Sequence, residues 1–413
     1  NEPWKHVYLD QWTGGDSFVT LPDPADPRYV YYEHQNGDLR RMDTQGPSVQ
    51  TGSASSQHIA PRAARAARCV ATRHCPSVIS AFDPATLYAG TNRLVKSTNR
   101  GQSWTAISPD VSDPAGGDRA TVPYGTITMI AESPTDRSLL YVGTEGGQVH
   151  VTRDGGAHWQ RIDTGLPKKW VSRVIASQHD AATAYVAFTG YREDDTRAYL
   201  YRSTDYGAHW TSITANLPAE SINVIREDPR NADILYAGTD GGVYVSLDRG
   251  ATWLSLSGTL PTTPVHDLVV HPRDDEIVIG THGRGVFVLD ARPIQQWAAA
   301  ARAGSPRLFP PHPALVRIAD ETQPAGTPGS ATFAFVADAA GPATLTIRSA
   351  AGTPVASLNV TATRGLNVAT WNLLTSGATP RPAAPGDYRV ELSMGGRTSE
   401  APLRLDRFVR WTK

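Results

Sequence analysis

One eight-residue pattern, Ser/Thr-x-Asp/Asn-x-Gly-x-x-Trp, constrains the fold of this chain more than any other feature of its sequence. The pattern occurs four times, at Ser97–Trp104, Thr152–Trp159, Ser203–Trp210 and Ser246–Trp253. The short acidic or amide side chain at its third position can accept hydrogen bonds from nearby backbone N–H groups and so close a turn. The glycine two positions later can take the positive φ of a tight hairpin, and the tryptophan begins the return strand with a large apolar ring. Each octet is therefore predicted to be a structural hairpin, with its turn held by Asn99, Asp154, Asp205 or Asp248 and its ring buried at Trp104, Trp159, Trp210 or Trp253.

A second phrase precedes the octets: a turn with aspartate or proline, then an aromatic or aliphatic strand that ends in Gly-Thr. The clear copies end at Thr91, Thr144, Thr239 and Thr281, and degenerate copies at 23–32 and 179–188 fit the same phase. The phase is roughly 42 to 57 residues, which is the length of four short strands with their turns. In the unit 217–256, strands are predicted at 221–227, 234–238, 243–246 and 252–256.

Such a repeat predicts an all-β chain that begins with a β-propeller. The 36 glycines and 31 prolines supply many turns, and the 10 tryptophans and 15 tyrosines outnumber the 8 phenylalanines, as is typical of sheets. Six phases are visible, and an aromatic strand at 4–12 could belong to a further blade. A six- or seven-bladed propeller is therefore expected over residues 1–290.

The octets stop after Asp290, and the pattern changes. Residues 291–302 are rich in alanine and predict a short helix, within an Ala/Pro-rich linker over 291–316. Short alternating strands with Gly/Pro turns follow, at 331–336, 343–348, 355–360, 367–373, 388–393 and 401–405. Residues 317–413 are therefore expected to form a small immunoglobulin-like β-sandwich.

Charge and hydropathy exclude several classes of partner. The chain has 39 basic and 40 acidic residues, so no overall field attracts nucleic acid. No apolar run approaches the ~20 residues of a membrane span. Cys69 and Cys75, with only His74 between them, are too few ligands for a metal site, so we expect neither a metal nor another cofactor. A disulfide between the two cysteines remains open.

Residues 57–77 interrupt the repeat with an Ala/Arg-rich stretch that lacks strand alternation and turn residues. A solvated loop between blades and a basic binding arm both fit this composition, although the arm would lack the interleaved aromatic residues that nucleic-acid binding uses.

The octet resembles the Asp-box, or BNR repeat, of sialidases, sortilin and xyloglucan-active hydrolases. Nearly the whole chain resembles large secreted bacterial proteins of the BNR-repeat, sortilin-like group, through phrases such as 14–18, 94–98, 224–229 and 280–290. The tail phrases 365–373 and 385–388 resemble the immunoglobulin-like module of flagellar hook-assembly proteins. Such relatives carry two propellers in tandem, so the resemblance implies that this chain is a second propeller with its tail and that a first propeller is missing. Residues 57–77 depart from the family pattern, as real divergence or as a reading-frame error.

The resemblance also implies where a ligand would bind. Asp-boxes lie at the outer edge of a propeller, whereas ligands bind the face that carries the loops into the first strand and between the second and third strands. Binding candidates on those loops are Lys169, Trp170, Arg173, Tyr191, Arg192, His266, His282 and Arg284. Trp170 could stack on a sugar ring or pack between blades, and arginine and histidine are suitable partners for a carboxylate or a sugar.

A catalytic site is less well specified. Glycoside hydrolysis needs two carboxylates about 5 to 9.5 Å apart. Candidates are Glu145, Asp240 and Asp267, with Asp194 in the acidic loop 191–195, but no spacing singles out a pair. The Arg-Ile-Pro phrase of sialidases does not occur in the sequence.

These observations favour an exported bacterial scaffold that binds a polysaccharide or an envelope protein through its loop face. The alternative is a glycoside hydrolase, similar to a xyloglucanase, of which this chain is the second half. The expected location is extracellular or periplasmic. The chain begins at Asn1 without a methionine or a signal segment, so a processed product, a recombinant form and a fragment all remain open.

Overall fold

The computed structural model describes residues 17–34, 37–45, 56–61, 75–112, 125–256, 260–300, 306–316 and 329–407. The predicted strand at 4–12, and Cys69 with most of the Ala/Arg-rich stretch, lie outside them. Contacts divide the chain into a first unit, residues 1–273 with 277–288, and a second unit, residues 274–276 with 289–413. Antiparallel sheets make up nearly all regular structure in the described residues, which confirms the all-β prediction.

The described part of the first unit contains six antiparallel sheets, and each is a meander in which consecutive strands pair. The first three sheets are β1 (Ser17–Pro22), β2 (Tyr29–His34), β3 (Asp38–Asp43) and β4 (Ser56–His58); β5 (Ser77–Ile79), β6 (Leu87–Gly90), β7 (Leu94–Ser97) and β8 (Thr105–Ala106); and β9 (Ile127–Glu132), β10 (Leu140–Thr144), β11 (Val149–Thr152) and β12 (Gln160–Arg161). The other three are β13 (Trp170–Ala176), β14 (Ala184–Gly190), β15 (Asp195–Ser203) and β16 (Thr211–Ser212); β17 (Ile222–Glu227), β18 (Leu235–Thr239), β19 (Val243–Ser246) and β20 (Leu254–Ser255); and β21 (Val265–His271), β22 (Glu276–Thr281) and β23 (Val286–Asp290). In the unit 217–256 the predicted strands agree closely with β17 to β19, whereas the fourth is only the two residues of β20.

The Gly-Thr phrase marks the place where neighbouring sheets come closest. Every residue of β10 and β18 is buried, because each strand is covered on both faces. A Cβ on Gly90 would lie 2.7 Å from Ile127 of β9, and one on Gly238 would lie 2.7 Å from Val265 of β21. Glycine is therefore required at these positions so that the first strand of the next sheet can pack against the second strand of its neighbour.

Each octet forms the turn between the third and fourth strands of a sheet. Oδ1 of the third residue accepts the backbone N–H four positions later, at 2.9 Å in three copies and 2.8 Å in the last. The Ser or Thr hydroxyl at the first position donates to that oxygen and accepts the glycine N–H. The fourth position is left-handed as well, with φ of 55° at Arg100, 60° at Tyr206 and 58° at Arg249, which the sequence pattern did not indicate.

The octets also join neighbouring sheets. The Trp Nε1–H donates at 2.7 Å to the carbonyl of an isoleucine that directly follows the last strand of the preceding sheet; the four pairs are Trp104 with Ile59, Trp159 with Ile107, Trp210 with Ile162, and Trp253 with Ile213. The same isoleucine lies against the octet glycine, where an added Cβ would collide with it. We call this contact the Trp–Ile clamp.

A second inter-sheet contact lies at the ends of the first strands. Glu227 accepts hydrogen bonds from Ser177 Oγ at 2.8 Å, Gln178 N at 2.6 Å and Tyr185 OH at 3.0 Å in the preceding sheet. Glu132 accepts the equivalent set from Ser80 Oγ at 2.9 Å, Ala81 N at 2.7 Å and Tyr88 OH at 3.1 Å.

The equivalent position in the fourth sheet is Ala176, which has no carboxylate to offer. The matching tyrosine, Tyr141, is fully buried, and its hydroxyl has no hydrogen-bond partner. The contact between the third and fourth sheets therefore lacks the hydrogen bonds that Glu132 and Glu227 accept at their junctions.

The second unit contains a helix and two sheets around one hydrophobic core. Its elements are α1 (Arg292–Ala300), β24 (Arg307–Leu308), β25 (Ala314–Val316), β26 (Ala331–Ala337), β27 (Gly341–Ser349), β28 (Pro354–Ala362), β29 (Gly365–Trp371), β30 (Gly386–Met394) and β31 (Arg397–Arg407). One sheet has the order β24-β26-β29, and the other has the order β25-β31-β30-β27-β28, with β25 parallel to β31. Phe333, Trp371 and Leu403 are among the side chains buried between them. The segment expected to be a linker thus contains α1 and two short strands, because Leu308 and Val316 are buried in this core.

Candidate functional site

A cavity of about 680 Å³ lies at the starts of β13 and β21 and at the connections that follow β14, β18 and β22. Its described lining residues are Met129, Trp170, Ser172, Arg173, Thr189, Tyr191, Arg192, Asn223, Asp240, Pro264, His266 and His282. Six predicted binding residues and the predicted carboxylate Asp240 thus come together from three sheets. We call this space the loop-face cavity.

Irregular strand pairing brings adjacent residues to the same wall. The pairing of β13 with β14 shifts between Val171 and Arg173, so Ser172 and Arg173 both line the cavity although they are consecutive. A similar shift between Ile222 and Val224 places Asn223 on the wall. Bulges of this kind redirect side chains and are common beside functional sites.

The aromatic wall consists of Trp170 and Tyr191. The Arg192 guanidinium lies 4.0 Å from the centroid of the Trp170 ring and donates to Glu145 Oε1 at 3.1 Å. One face of the indole is therefore occupied by a cation–π contact. Tyr191, in the short 3-10 turn Tyr191–Glu193, is 70% exposed, so its ring is the more open surface for a ligand.

Arg173, which lines the cavity, shares one carboxylate with Arg226, which lies outside the cavity lining. Asp267 Oδ1 accepts from Arg226 Nη2 at 2.9 Å and from Arg173 Nη2 at 3.2 Å. Arg226 also donates through Nε to Leu268 O at 2.8 Å, whereas the buried Nε of Arg173 has no hydrogen-bond partner. Burial, with the nearby charge of Arg226, lowers the pKa of Arg173 to about 10, so the guanidinium stays charged at neutral pH.

Two imidazoles and a carboxylate also line the cavity. The rings of His266 and His282 lie 5.1 Å apart with a tilt of 31°. Burial, with repulsion from His282, lowers the pKa of His266, which favours its neutral form. Asp240 Oδ1 accepts a hydrogen bond from Asn223 Nδ2 at 2.9 Å. The cavity therefore presents imidazole and amide groups beside one anion.

The other predicted residues do not line the cavity. Lys169 Nζ is paired with Glu193 Oε2 at 2.6 Å and Asp195 Oδ2 at 3.0 Å. Arg284 is exposed in the turn before β23, between two glycines with positive φ. Asp194 has a left-handed φ of 54° and ends the 3-10 turn. These residues surround the site without forming its wall.

The carboxylates are arranged for ligand contact more than for acid–base chemistry. Glu145 and Asp267 are each held by arginine, and Asp240 is the one carboxylate among the described lining residues. Hydrolysis of a glycosidic bond needs a second carboxylate on the other side of that bond. The described wall supplies one such carboxylate, which is half of the pair.

Five residues of the wall were not predicted from the sequence: Met129, Ser172, Thr189, Asn223 and Pro264. Superposing the repeat phases would have pointed to Met129 and Asn223, because both lie near the start of a first strand, as Trp170 and His266 do. Ser172 and Thr189 depend on strand pairing, for which the sequence holds no local signal.

Neither a membrane-spanning helix nor a metal cluster occurs in the part of the chain that the structure describes. Its helices are too short or too polar to cross a membrane. Across the same residues, no group of three or more His, Cys, Asp or Glu side chains is arranged to hold a metal ion.

Comparisons with known proteins show which families this chain is similar to. Residues 198–293 match the family model Sortilin-Vps10, described as sortilin, neurotensin receptor 3. A stretch of 123 residues is 32% identical to a xyloglucanase of Hypocrea jecorina (strain QM6a), and it spans 29% of this chain and 14% of the fungal protein. An ancestral GH74 enzyme superposes with a TM-score of 0.51 at 18% identity, covering 68% of this chain and 37% of the enzyme. The GH74 enzyme of Niastella koreensis gives a TM-score of 0.51 at 16% identity, covering 95% of this chain and 67% of the enzyme. The chain thus carries a β-propeller similar to those of sortilin and of xyloglucanases, and it spans a minor part of the length of the curated relative.

Proposed function

We propose that this chain binds a carbohydrate in the loop-face cavity. One observation carries the proposal: the exposed ring of Tyr191 lines the same cavity as the amide of Asn223, the carboxylate of Asp240 and two imidazoles. A sugar presents C–H groups that pack on an aromatic ring and hydroxyls that bond to such polar groups. The cavity volume of about 680 Å³ is within the usual range for ligand sites.

The similarity to a xyloglucanase supports a polysaccharide as the ligand. An envelope protein is the other partner that an exported scaffold would bind. The aromatic and amide groups of the cavity favour the sugar.

We also propose the finer architecture. The octets are Asp-boxes, and the six described sheets are blades of a six- or seven-bladed propeller over residues 1–290. Residues 317–413 form an immunoglobulin-like sandwich joined through 291–316, and the protein acts outside the cytoplasm, extracellular or periplasmic. Support comes from the repeated turn geometry and from the common core of the two sheets in the second unit.

A glycan array followed by calorimetric titration tests the carbohydrate proposal. Tyr191→Ala should weaken binding of a captured glycan at least about tenfold, because it removes the open aromatic surface. Val368→Ala, which truncates a 55% exposed side chain in the second unit, is the matched control and should bind as the wild type does. Absence of binding to any glycan, with retained capture of an envelope protein, would replace this proposal with protein recognition.

A glycoside hydrolase is the second candidate, favoured by the xyloglucanase similarity and by Asp240 on the cavity wall. The full chain would then release reducing sugar from β-glucans, and Asp240→Asn would abolish the release. Binding of β-glucan without any release of reducing sugar would show that this chain binds the polysaccharide and does not hydrolyse it.

A further inference from the structure

We propose that the loop-face cavity recognises an acidic sugar, whose carboxylate binds Arg173. This inference rests on the carbohydrate-binding function proposed above and specifies the class of ligand.

The first argument is the charge balance around Arg173 in the cavity wall. Arg173 and Arg226 both donate to Asp267 Oδ1, so two guanidinium groups share one carboxylate oxygen. Asp267 is 55% exposed at its side chain, whereas the side chains of Arg173 and Arg226 are 15% and 24% exposed. The better buried groups are therefore the cations, and one positive charge at this place lacks a full counterpart.

The second argument is the unused hydrogen-bonding capacity of Arg173. Its bonds to Asp267 Oδ1 at 3.2 Å and His266 O at 3.4 Å are long and both leave from Nη2, and its buried Nε has no partner. Arg226 donates through all three of its guanidinium nitrogens. A carboxylate fits Arg173 because it can accept two parallel N–H groups of one guanidinium.

The other charges around the cavity are consistent with a ligand that is acidic at one end. Arg192 is paired with Glu145 and contributes little net charge. Asp240 Oδ1 accepts a hydrogen bond from Asn223 Nδ2 at 2.9 Å, and Asp240 and Arg173 enter the cavity from different sheets. Asp240 would contact sugar hydroxyls, whereas the carboxylate would bind Arg173.

Titration of the full chain at pH 7 with oligogalacturonate, oligoglucuronate and their carboxyl-reduced, neutral counterparts tests the inference. The acidic oligomers should bind about tenfold tighter or more, as expected for a hydrogen-bonded charge pair, and the preference should decline as salt is added. Arg173→Gln should remove the preference, so that acidic and neutral oligomers bind with equal affinity, and thermal unfolding of the variant reports that it remains folded. Arg161→Gln, which removes an exposed arginine paired with Asp163, should change neither.

The outcomes separate the two proposals. Equal binding of acidic and neutral oligomers by the wild type, or a preference that survives in Arg173→Gln, overturns the inference and keeps the carbohydrate function. Binding of neither kind of oligomer by the wild type overturns both.

Discussion

Buried hydroxyls distinguish the junctions between sheets at the level of single residues. Tyr88 and Tyr185 donate to glutamates of the next sheet, whereas Tyr141 faces the position of Ala176. Burial raises the pKa of all three phenols, so each remains a neutral donor at physiological pH. A hydroxyl that is removed from water without a partner opposes folding, whereas one bonded to a carboxylate favours it.

Tyr141→Phe and Tyr185→Phe should therefore differ, although both remove one buried hydroxyl. The first should leave the free energy of unfolding unchanged or raise it by up to about 1 kcal/mol, and the second should lower it by about 1 to 3 kcal/mol. Denaturant unfolding of both variants measures the difference. A loss in Tyr141→Phe as large as that in Tyr185→Phe would mean that Tyr141 has a partner in solution.

His150 should make the stability of the first unit depend on pH. Burial lowers its pKa from 6.5 to about 4, so the unfolded chain takes up the proton at a higher pH than the folded chain does. Its contribution to stability is complete above about pH 6.5 and is lost as the pH falls toward about 4. In His150→Gln, unfolding at pH 7 and pH 4.5 should therefore differ less than in the wild type. The same pH dependence in both proteins would contradict this origin.

At the scale of elements, the octet forms a turn and joins two neighbouring sheets, and its sequence predicts the turn better than the contact between the sheets. The turn is mainly local, since the hydrogen bonds of its aspartate and of its Ser/Thr hydroxyl join residues within four positions, and the pattern of Asp, Gly and Trp therefore predicted it. The Trp–Ile clamp spans 40 to 52 residues along the chain, and the isoleucine carries no distinctive signal. The pattern predicted a buried ring, which is confirmed for Trp253, whereas the other three rings are only partly buried, and it did not indicate the residue that accepts the hydrogen bond.

Asp248→Ala should lower the free energy of unfolding by about 1 kcal/mol or more, because the N–H of Thr252 and the hydroxyl of Ser246 lose their acceptor. Those same hydrogen bonds help to hold the pKa of Asp248 below its usual value. Asp233→Ala is the control: it removes an exposed ion pair with Arg249 and should change stability by less than about 1 kcal/mol. Thermal unfolding compares them, and glycan affinity should persist in both. An Asp248→Ala protein that keeps its stability and loses binding would show that the octet takes part in ligand binding.

The same contrast between local and distant contacts decides how much of the site could be predicted. Trp170, His266 and Asp240 follow from the repeat phase, because loops at equivalent phases converge on one face. The contact of Arg173 with Asp267 joins residues 94 positions apart, and the contact of Arg192 with Trp170 depends on the 3-10 turn. Both require the assembled sheets, so the sequence could not supply them.

For the whole molecule, each of the two units contains buried clusters of its own among the described residues. The largest cluster of the second unit contains Phe333 and Trp371, whereas all described lining residues of the loop-face cavity belong to the first unit. The all-β class and the propeller were predicted correctly, because they depend on a pattern repeated through the chain. The number of blades and the domain boundaries stay predictions.

Phe333→Ala should lower the free energy of unfolding of the second unit by about 3 to 5 kcal/mol, because it leaves a cavity in that core. Glycan affinity should be unchanged at temperatures below the new transition. Calorimetry and titration on the same sample test both statements, with Val368→Ala as the exposed control expected within about 0.5 kcal/mol of wild type. A parallel loss of affinity would show that the two units depend on each other.

The Trp–Ile clamp also determines which segments of this chain are interchangeable modules. Each clamp takes its isoleucine from the end of one sheet and its glycine and tryptophan from the next. A segment excised from the first strand of a sheet to the isoleucine after its last strand would carry a Trp donor without its acceptor and an isoleucine acceptor without its donor. Duplication or recombination of such a segment would therefore preserve the clamps only when the flanking repeats supply the matching halves. The exchangeable module is therefore defined by the complementarity of its ends, and a transplanted repeat should be accepted wherever the recipient offers an isoleucine on one side and a Gly-x-x-Trp on the other.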